Sequence, residues 1–311
     1  MPVEGQSLRI GLIGCGRWGR LILRDLLVLG ADVVVVTPSA ASQAAAAAAG
    51  AGRVMANLEQ LGDVDGLVVA VPTSLHAEVV TSLLDRHVPI FVEKPLTADP
   101  ESARRIAAAA PDRVFVMDKW RHLAGVRRLG ELARSGALGR VTGLRTVRVA
   151  WGQPHTDVDC TWILAPHDLS IALEILGEVP TPVAAGVDDP AHVEVMVGFG
   201  RTTSGVWHNL EVSARAVATE RRIEVIGTEA QATLAGGWDD RVTVVRRGGA
   251  NPVEEVVMAT GELPLLAELR AFLTHLAGGP PPVSSAAEGA LIVEAIAGLR
   301  ALAGITEAGA Q

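Results

Sequence analysis

Short apolar runs alternate with amphipathic stretches over the first third of the chain. Leu8 to Ile13 is apolar and ends in glycines, and Trp18 to Leu29 follows with helical spacing until Gly30 stops it. Val33 to Val36 is a β-branched run suited to a strand buried on both faces. Ser39 to Ala49 is alanine-rich and closed by Gly50, which predicts a helix able to lie close against a sheet. The alternation continues with a strand over Gly66 to Val71, a helix over Ser74 to His87 and a strand over Pro89 to Val92. Asp99-Pro100-Glu101 carries a capping residue and a first-turn proline, so a helix opens there, and Val114 to Met117 is the last strand of the set. Strands and helices in this order predict an α/β fold, a Rossmann-type doubly wound parallel sheet.

The pattern then changes. A helix around Val126 to Ser135 is followed by strand-like segments at Val141 to Val149, Val193 to Phe199, Gly205 to Val212, Ile223 to Ile226 and Val242 to Arg246. Few helices separate them, which predicts a mainly antiparallel open sheet, partly covered by helices at Pro166 to Leu176, Leu265 to Leu276 and Ala286 to Leu302. The expected division is a dinucleotide-binding Rossmann domain over 1–120 and an α+β domain for substrate binding and oligomerisation over 121–311.

Composition narrows the chemistry. No stretch reaches the roughly 18 uncharged apolar residues of a membrane span, and the N-terminal residues lack the basic and apolar regions of a secretion signal, so a soluble cytoplasmic protein is expected. Cys15 and Cys160 are too few and too far apart for a disulfide framework or a zinc site, and no metal is expected. A net charge of -8 with no basic cluster argues against nucleic acid and for a small-molecule partner. The chain has no tyrosine, which excludes any mechanism built on a phenolic acid.

Gly14-Cys15-Gly16-Arg17-Trp18-Gly19 is G-x-G-x-x-G placed after the first strand and at the opening of the first helix. In that setting the glycines allow a tight turn and the helix N-terminus faces a pyrophosphate. The position about twenty residues further on, where an acid would bind the ribose hydroxyls of NAD, reads Val36-Thr37-Pro38-Ser39. Thr37 and Ser39 can donate to a 2′-phosphate that an acid would repel, so NADP is favoured over NAD, although no arginine stands beside them.

With Val71-Pro72-Thr73-Ser74-Leu75-His76, Glu93-Lys94-Pro95 and Leu164-Ala165-Pro166-His167-Asp168-Leu169 added to the glycine motif, the chain resembles the Gfo/Idh/MocA oxidoreductases. The likeness extends to Glu262-Leu263-Pro264-Leu265 and the terminal helices. Through Trp151-Gly152-Gln153-Pro154 and the His167 segment it is most similar to members acting on nucleotide sugars, which makes Trp151 a candidate substrate contact. The resemblance implies that Lys94 points toward the nicotinamide and the reacting carbon, where an ammonium hydrogen-bonds the hydroxyl and stabilises alkoxide charge. Glu93 then orients the turn, a cis Pro95 would aim Lys94, and Pro72, Thr73 and His76 are candidate cofactor contacts.

His167, after Pro166 and before an apolar helical run, is expected at a helix start, where the dipole would keep its imidazole neutral and able to accept a proton. Asp168 in the same turn is a possible supporting group. Many family members carry an Asp four residues before this histidine; here that position is Ile163, and Asp157 and Asp159 in the preceding loop are candidate substitutes. Lys119, Trp120, Arg121 and His122 follow the last Rossmann strand, and the cations among them are candidates for holding phosphate or carboxylate groups of the substrate. The expectation is hydride transfer between a nicotinamide dinucleotide and a secondary alcohol of a sugar, nucleotide sugar or cyclitol, in a homo-oligomer joined through the second sheet. Its rivals are an NAD-dependent glycosidase of the same fold and a catalytically silent dinucleotide sensor.

Overall fold

A computed structural model describes residues 7–152, 157–237, 239–248 and 251–305. Val33, Val34, Val35 and Val36 lie buried in β2 (Asp32–Val36), in a sheet closed on both faces, as a continuous β-branched run requires. β2 pairs in parallel with β1 (Arg9–Ile13), from which the glycine loop leads into α1 (Arg17–Val28). The alanine-rich segment is helical, α2 (Ala40–Ala48), with the Ser39 hydroxyl accepting from the Ser42 amide as its N-cap. There follow β3 (Arg53–Met55), β4 (Gly66–Val69), α3 (His76–Leu83), β5 (Ile90–Glu93), α4 (Pro100–Ala109) and β6 (Val114–Met117). The six strands are parallel in the order β3-β2-β1-β4-β5-β6, the doubly wound arrangement expected. β3, three residues at the sheet edge, is too short to stand out in the sequence.

The next elements are α5 (Ala124–Arg134), β7 (Val141–Trp151), α6 (Cys160–Leu176), β8 (Thr181–Val187), β9 (Val195–Arg201), β10 (Trp207–Ser213), β11 (Arg215–Gly227), β12 (Ala230–Leu234), β13 (Arg241–Arg246) and β14 (Val253–Met258). They form an eight-stranded sheet ordered β14-β13-β12-β11-β7-β10-β9-β8, antiparallel except for the parallel pair β7 and β10. β8, β12 and β14 were not expected. β8 and β14 are the edges of the sheet, where solvent-facing positions blur the alternation on which a strand prediction rests. Leu129, Ile171 and Ile175 of α5 and α6 pack on Leu144, Ile223, Val225 and Ala232 of the inner face.

The chain closes with α7 (Pro264–Leu276) and α8 (Ala286–Leu302), and here the expected boundary needs correction. One compact unit comprises Met1–Lys119 with Leu263–Ala290, and the other comprises Trp120–Glu262 with Leu291–Gln311. The chain returns because the first core needs α7. Leu265, Leu269 and Phe272 pack with Ile22, Leu23 and Leu26, and Phe272 stacks on Phe91 at 5.0 Å between ring centroids. Among the described residues no helix is long and apolar enough to cross a membrane.

Candidate active site

The three glycines of the first loop serve separate purposes. Gly14 has φ +92°, and a Cβ there would meet the Ala70 carbonyl oxygen at 2.5 Å. At Gly19 a Cβ would lie 2.4 Å from the Gly14 oxygen, so the helix could not approach the loop. Around Gly16, by contrast, a Cβ meets nothing within 4 Å, and this residue caps α1 without any side-chain hydrogen bond. An open cradle at a helix N-terminus with unspent backbone amides fits the pyrophosphate of a dinucleotide. Arg17 is exposed at the first position of α1. At the end of β2, Thr37 is buried, its amide donating to Met55 and its carbonyl accepting from Gln43, whereas Ser39 is exposed. Of the two residues expected near a 2′-phosphate, Ser39 is the accessible one.

Glu93 ends β5, and the following Lys94-Pro95 bond is cis, as the resemblance implied. The Glu93 carboxylate accepts from the Trp18 indole nitrogen and, at 3.2 Å, from the Lys94 amide. Burial raises the Glu93 carboxyl above its ordinary value, opposed by the positive charges of Lys94 and Lys119 and by its hydrogen bonds. The Lys119 ammonium lies 4.0 Å from the centre of the Trp18 ring. Thr73 is buried and Pro72 exposed in the turn before α3. His76 is buried there, with Nδ1 at 2.7 Å from the Pro95 oxygen and Nε2 at 3.1 Å from the Val71 oxygen. It ties the Lys94 turn to the exit of β4, so its ring serves the turn, where a cofactor contact had been expected. One member of this group had no sequence signal assigned to it. Glu268 of α7 is 1 % exposed, and neither of its carboxyl oxygens meets a hydrogen-bond partner among the described residues. Burial, with the neighbouring charges of Glu93 and Asp118, holds its carboxyl well above the ordinary range, and Lys119 opposes the shift.

In the second unit His167 does not begin a helix. α6 starts at Cys160 under an Asp159 cap and runs through Pro166, which places His167 about two turns inside. A dipole field confined to the first turn therefore does not act on its ring as expected. Proline predicts a start because it lacks an N–H, but a helix tolerates it where the neighbouring packing holds the segment. The His167 ring lies edge-on to Trp120, 6.1 Å between centroids. Trp120 also carries the Arg148 guanidinium at 4.3 Å and that of Arg221 at 5.9 Å from its ring centre. Arg148 Nε donates to Asp168 at 2.8 Å in a fully buried pair. Burial raises the Asp168 carboxyl, opposed first by the Arg148 charge.

Other candidates are engaged elsewhere. Asp159 accepts from the Thr161 amide and from Arg300 at 2.5 Å, as a cap and ion-pair partner. Asp157 is exposed, and Ile163 is buried. Arg121, expected to meet substrate, is buried in an ion pair with Glu174 at 3.2 Å and so fastens its turn to α6. His122 is pushed down to about 4 by burial and by Arg127 and Arg121. Trp151 is 69 % exposed at the end of β7, while Gln153 and Pro154 lie outside the described residues. Among the described residues no cluster of three or more potential metal ligands occurs.

Arg148, Arg221 and Glu268 are the residues that reading the sequence missed. Each carried a signal. Arg148 shares the inward parity of Leu144 and Thr146, Arg221 that of Ile223 and Val225, and Glu268 lies on the apolar stripe Leu265, Leu269, Phe272. A charge at an inward position is the exception to explain.

Comparison with known proteins bears on the family and the fold. Residues 8–116 match the model of the GFO_IDH_MocA oxidoreductase family, described as an NAD-binding Rossmann fold. The chain is 30 % identical to inositol 2-dehydrogenase 2 of Mycolicibacterium vanbaalenii over 73 % of its own length and 71 % of the relative's. It is 25 % identical to UDP-N-acetylglucosamine 3-dehydrogenase of Acidithiobacillus ferrooxidans over 95 % of this chain and 94 % of that one. In fold it is similar to a levoglucosan dehydrogenase solved with NADH, with a TM-score of 0.86 at 18 % identity over 96 % of this chain and 97 % of that one.

Proposed function

The chain belongs to the Gfo/Idh/MocA oxidoreductase family, and we propose on that basis that it oxidises and reduces a secondary alcohol of a sugar, nucleotide sugar or cyclitol with a nicotinamide dinucleotide. The observation that carries the reading is the buttressed Glu93-Lys94-Pro95 turn. A lysine follows directly on the carboxyl end of a parallel strand, in a unit whose glycine loop holds an open cradle at a helix N-terminus. The names of the relatives, inositol 2-dehydrogenase and UDP-N-acetylglucosamine 3-dehydrogenase, support the substrate class.

Gly14 and Gly19 shape the loop and Gly16 leaves room for the pyrophosphate, and a bound nicotinamide supplies the carbon that exchanges hydride with the substrate. Lys94 Nζ hydrogen-bonds the substrate oxygen and stabilises negative charge as it develops there. His167 takes the hydroxyl proton in oxidation and returns it in reduction. Its Nδ1 is buried, so the exchange is assigned to Nε2. Glu93 holds the turn through the Lys94 amide. Trp120 forms a wall beside His167, and Trp151 and Lys119 are proposed substrate contacts. NADP is the proposed preference, because no carboxylate stands at Thr37-Pro38-Ser39. Self-association through the outer face of the second sheet is also proposed, since Val197, Val256 and Met258 are exposed there; light scattering tests it.

The deciding experiment measures NADH and NADPH formation with myo-inositol, hexoses and UDP-N-acetylglucosamine, with products identified by mass spectrometry. A ketone two mass units lighter than its substrate is expected. Hydrolysed glycoside without net cofactor reduction would replace this reading with the glycosidase, and tight dinucleotide binding without any turnover would replace it with the sensor.

A further inference from the structure

Arg148 of β7 and Arg221 of β11 are direct partners in the antiparallel register, so both project from the same inner face of the sheet. Like charges opposed in this way repel, and the repulsion grows where water is excluded. One carboxylate answers them. Asp168 is bonded to Arg148 and is the attractive charge acting on Arg221, while Arg148 is the repulsive one. Two guanidiniums and one carboxylate leave a net positive charge beside Trp120 and His167. Arg221 remains half-buried, its fork paired with no carboxylate among the described residues and its side chain closed in by Gly237, where a Cβ would meet its Cδ at 2.7 Å. Such a site costs stability in the empty protein and repays that cost when an anion arrives.

We infer that Arg221, supported by Arg148, receives an anionic oxygen group of the substrate, a carboxylate or a phosphate, next to His167. This deepens the dehydrogenase reading and rests on it for the word substrate. A planar guanidinium matches both groups in two-point geometry, which a lysine does not. Arg148 is committed to Asp168 and fixes the position, so Arg221 is the residue that discriminates.

The test is equilibrium binding by calorimetry, without turnover, of glucuronate, UDP-N-acetylglucosamine, inorganic phosphate and myo-inositol to the full chain and to its Arg221→Gln and Arg221→Lys variants. An anionic probe is expected to bind the wild type. Arg221→Gln should lose about 10-fold or more of that affinity, the range for a charged hydrogen bond, Arg221→Lys should lose less, and NADPH affinity should stay unchanged in both. Preference for glucuronate identifies a carboxylate, and preference for UDP-N-acetylglucosamine or phosphate a phosphate. Anion binding without oxidation of any alcohol would keep this inference and sink the dehydrogenase reading. Equal affinity of wild type and Arg221→Gln for every anion, with thermal unfolding showing both folded, would overturn the inference, as would a preference for uncharged myo-inositol.

Discussion

The indole nitrogen of Trp18, in the first turn of α1, donates to the carboxylate of Glu93 at the end of β5. One bond thus links the helix of the glycine loop to the turn that carries Lys94. Trp18→Phe keeps an aromatic side chain but leaves a buried carboxylate oxygen short of a donor, which costs about 1–3 kcal/mol. A lower melting temperature and a fall in kcat larger than any change in cofactor affinity are expected. Unchanged kcat would show that the bond only packs the fold.

Gly16→Val is expected to abolish dinucleotide binding while leaving the melting temperature near that of the wild type. The added side chain has room in the protein and takes the space of the ligand. Calorimetry with NAD and NADP decides; retained affinity for both would remove the cradle from the reading.

Cofactor choice is tested best at Ser39. Thr37 is buried, so a charge there would disturb β2, whereas Asp at position 39 still caps α2 and sets a carboxylate on the exposed side. Ser39→Asp should shift the NAD to NADP ratio of kcat/KM toward NAD by roughly tenfold, the effect of about 1.4 kcal/mol. A wild type that prefers NAD strongly would end the proposed preference for NADP.

Lys94→Met should lower turnover by several orders of magnitude with dinucleotide affinity nearly kept, because its charge counts most as the oxygen becomes negative. His167→Asn should cost roughly 10²- to 10⁴-fold and flatten the pH-rate profile near neutrality. If both serve one step, the double variant is little slower than the slower single one. Fully multiplicative losses would separate their roles. Ile163 is buried, and Ile163→Asp is not expected to raise the rate.

Glu268 makes a prediction about stability. Its carboxyl is raised in the folded protein, so the fold holds a proton that the unfolded chain releases from about 4.5 upward. The stability it contributes is complete below that value and is lost as pH rises toward the folded value. Glu268→Gln removes this loss, so denaturant unfolding should show the variant gaining on the wild type between pH 5 and 8. Parallel stability curves would mean that Glu268 is ionised in the fold.

What the sequence determined is local. The order of strands and helices to Met117, the short β3 excepted, the capping by Ser39 and Asp99, and the three glycines all follow from residues close in the chain, because periodicity and turn chemistry act over a few positions. The Glu93-Lys94-Pro95 and His167 segments stood out through family resemblance, each being a contiguous motif. The tertiary structure decided what depends on partners distant in the chain. Pro166 reads as a helix start, and only the packing of α6 on the inner sheet face makes it internal. Arg121 reads as a ligand for substrate until Glu174, remote in sequence, is placed beside it. α7 belongs to the first unit because Phe272 meets Phe91, and the same return buries Glu268 with Glu93 and Lys119. The opposition of Arg148 and Arg221 is a matter of strand register, which side-chain parity allows but pairing alone fixes.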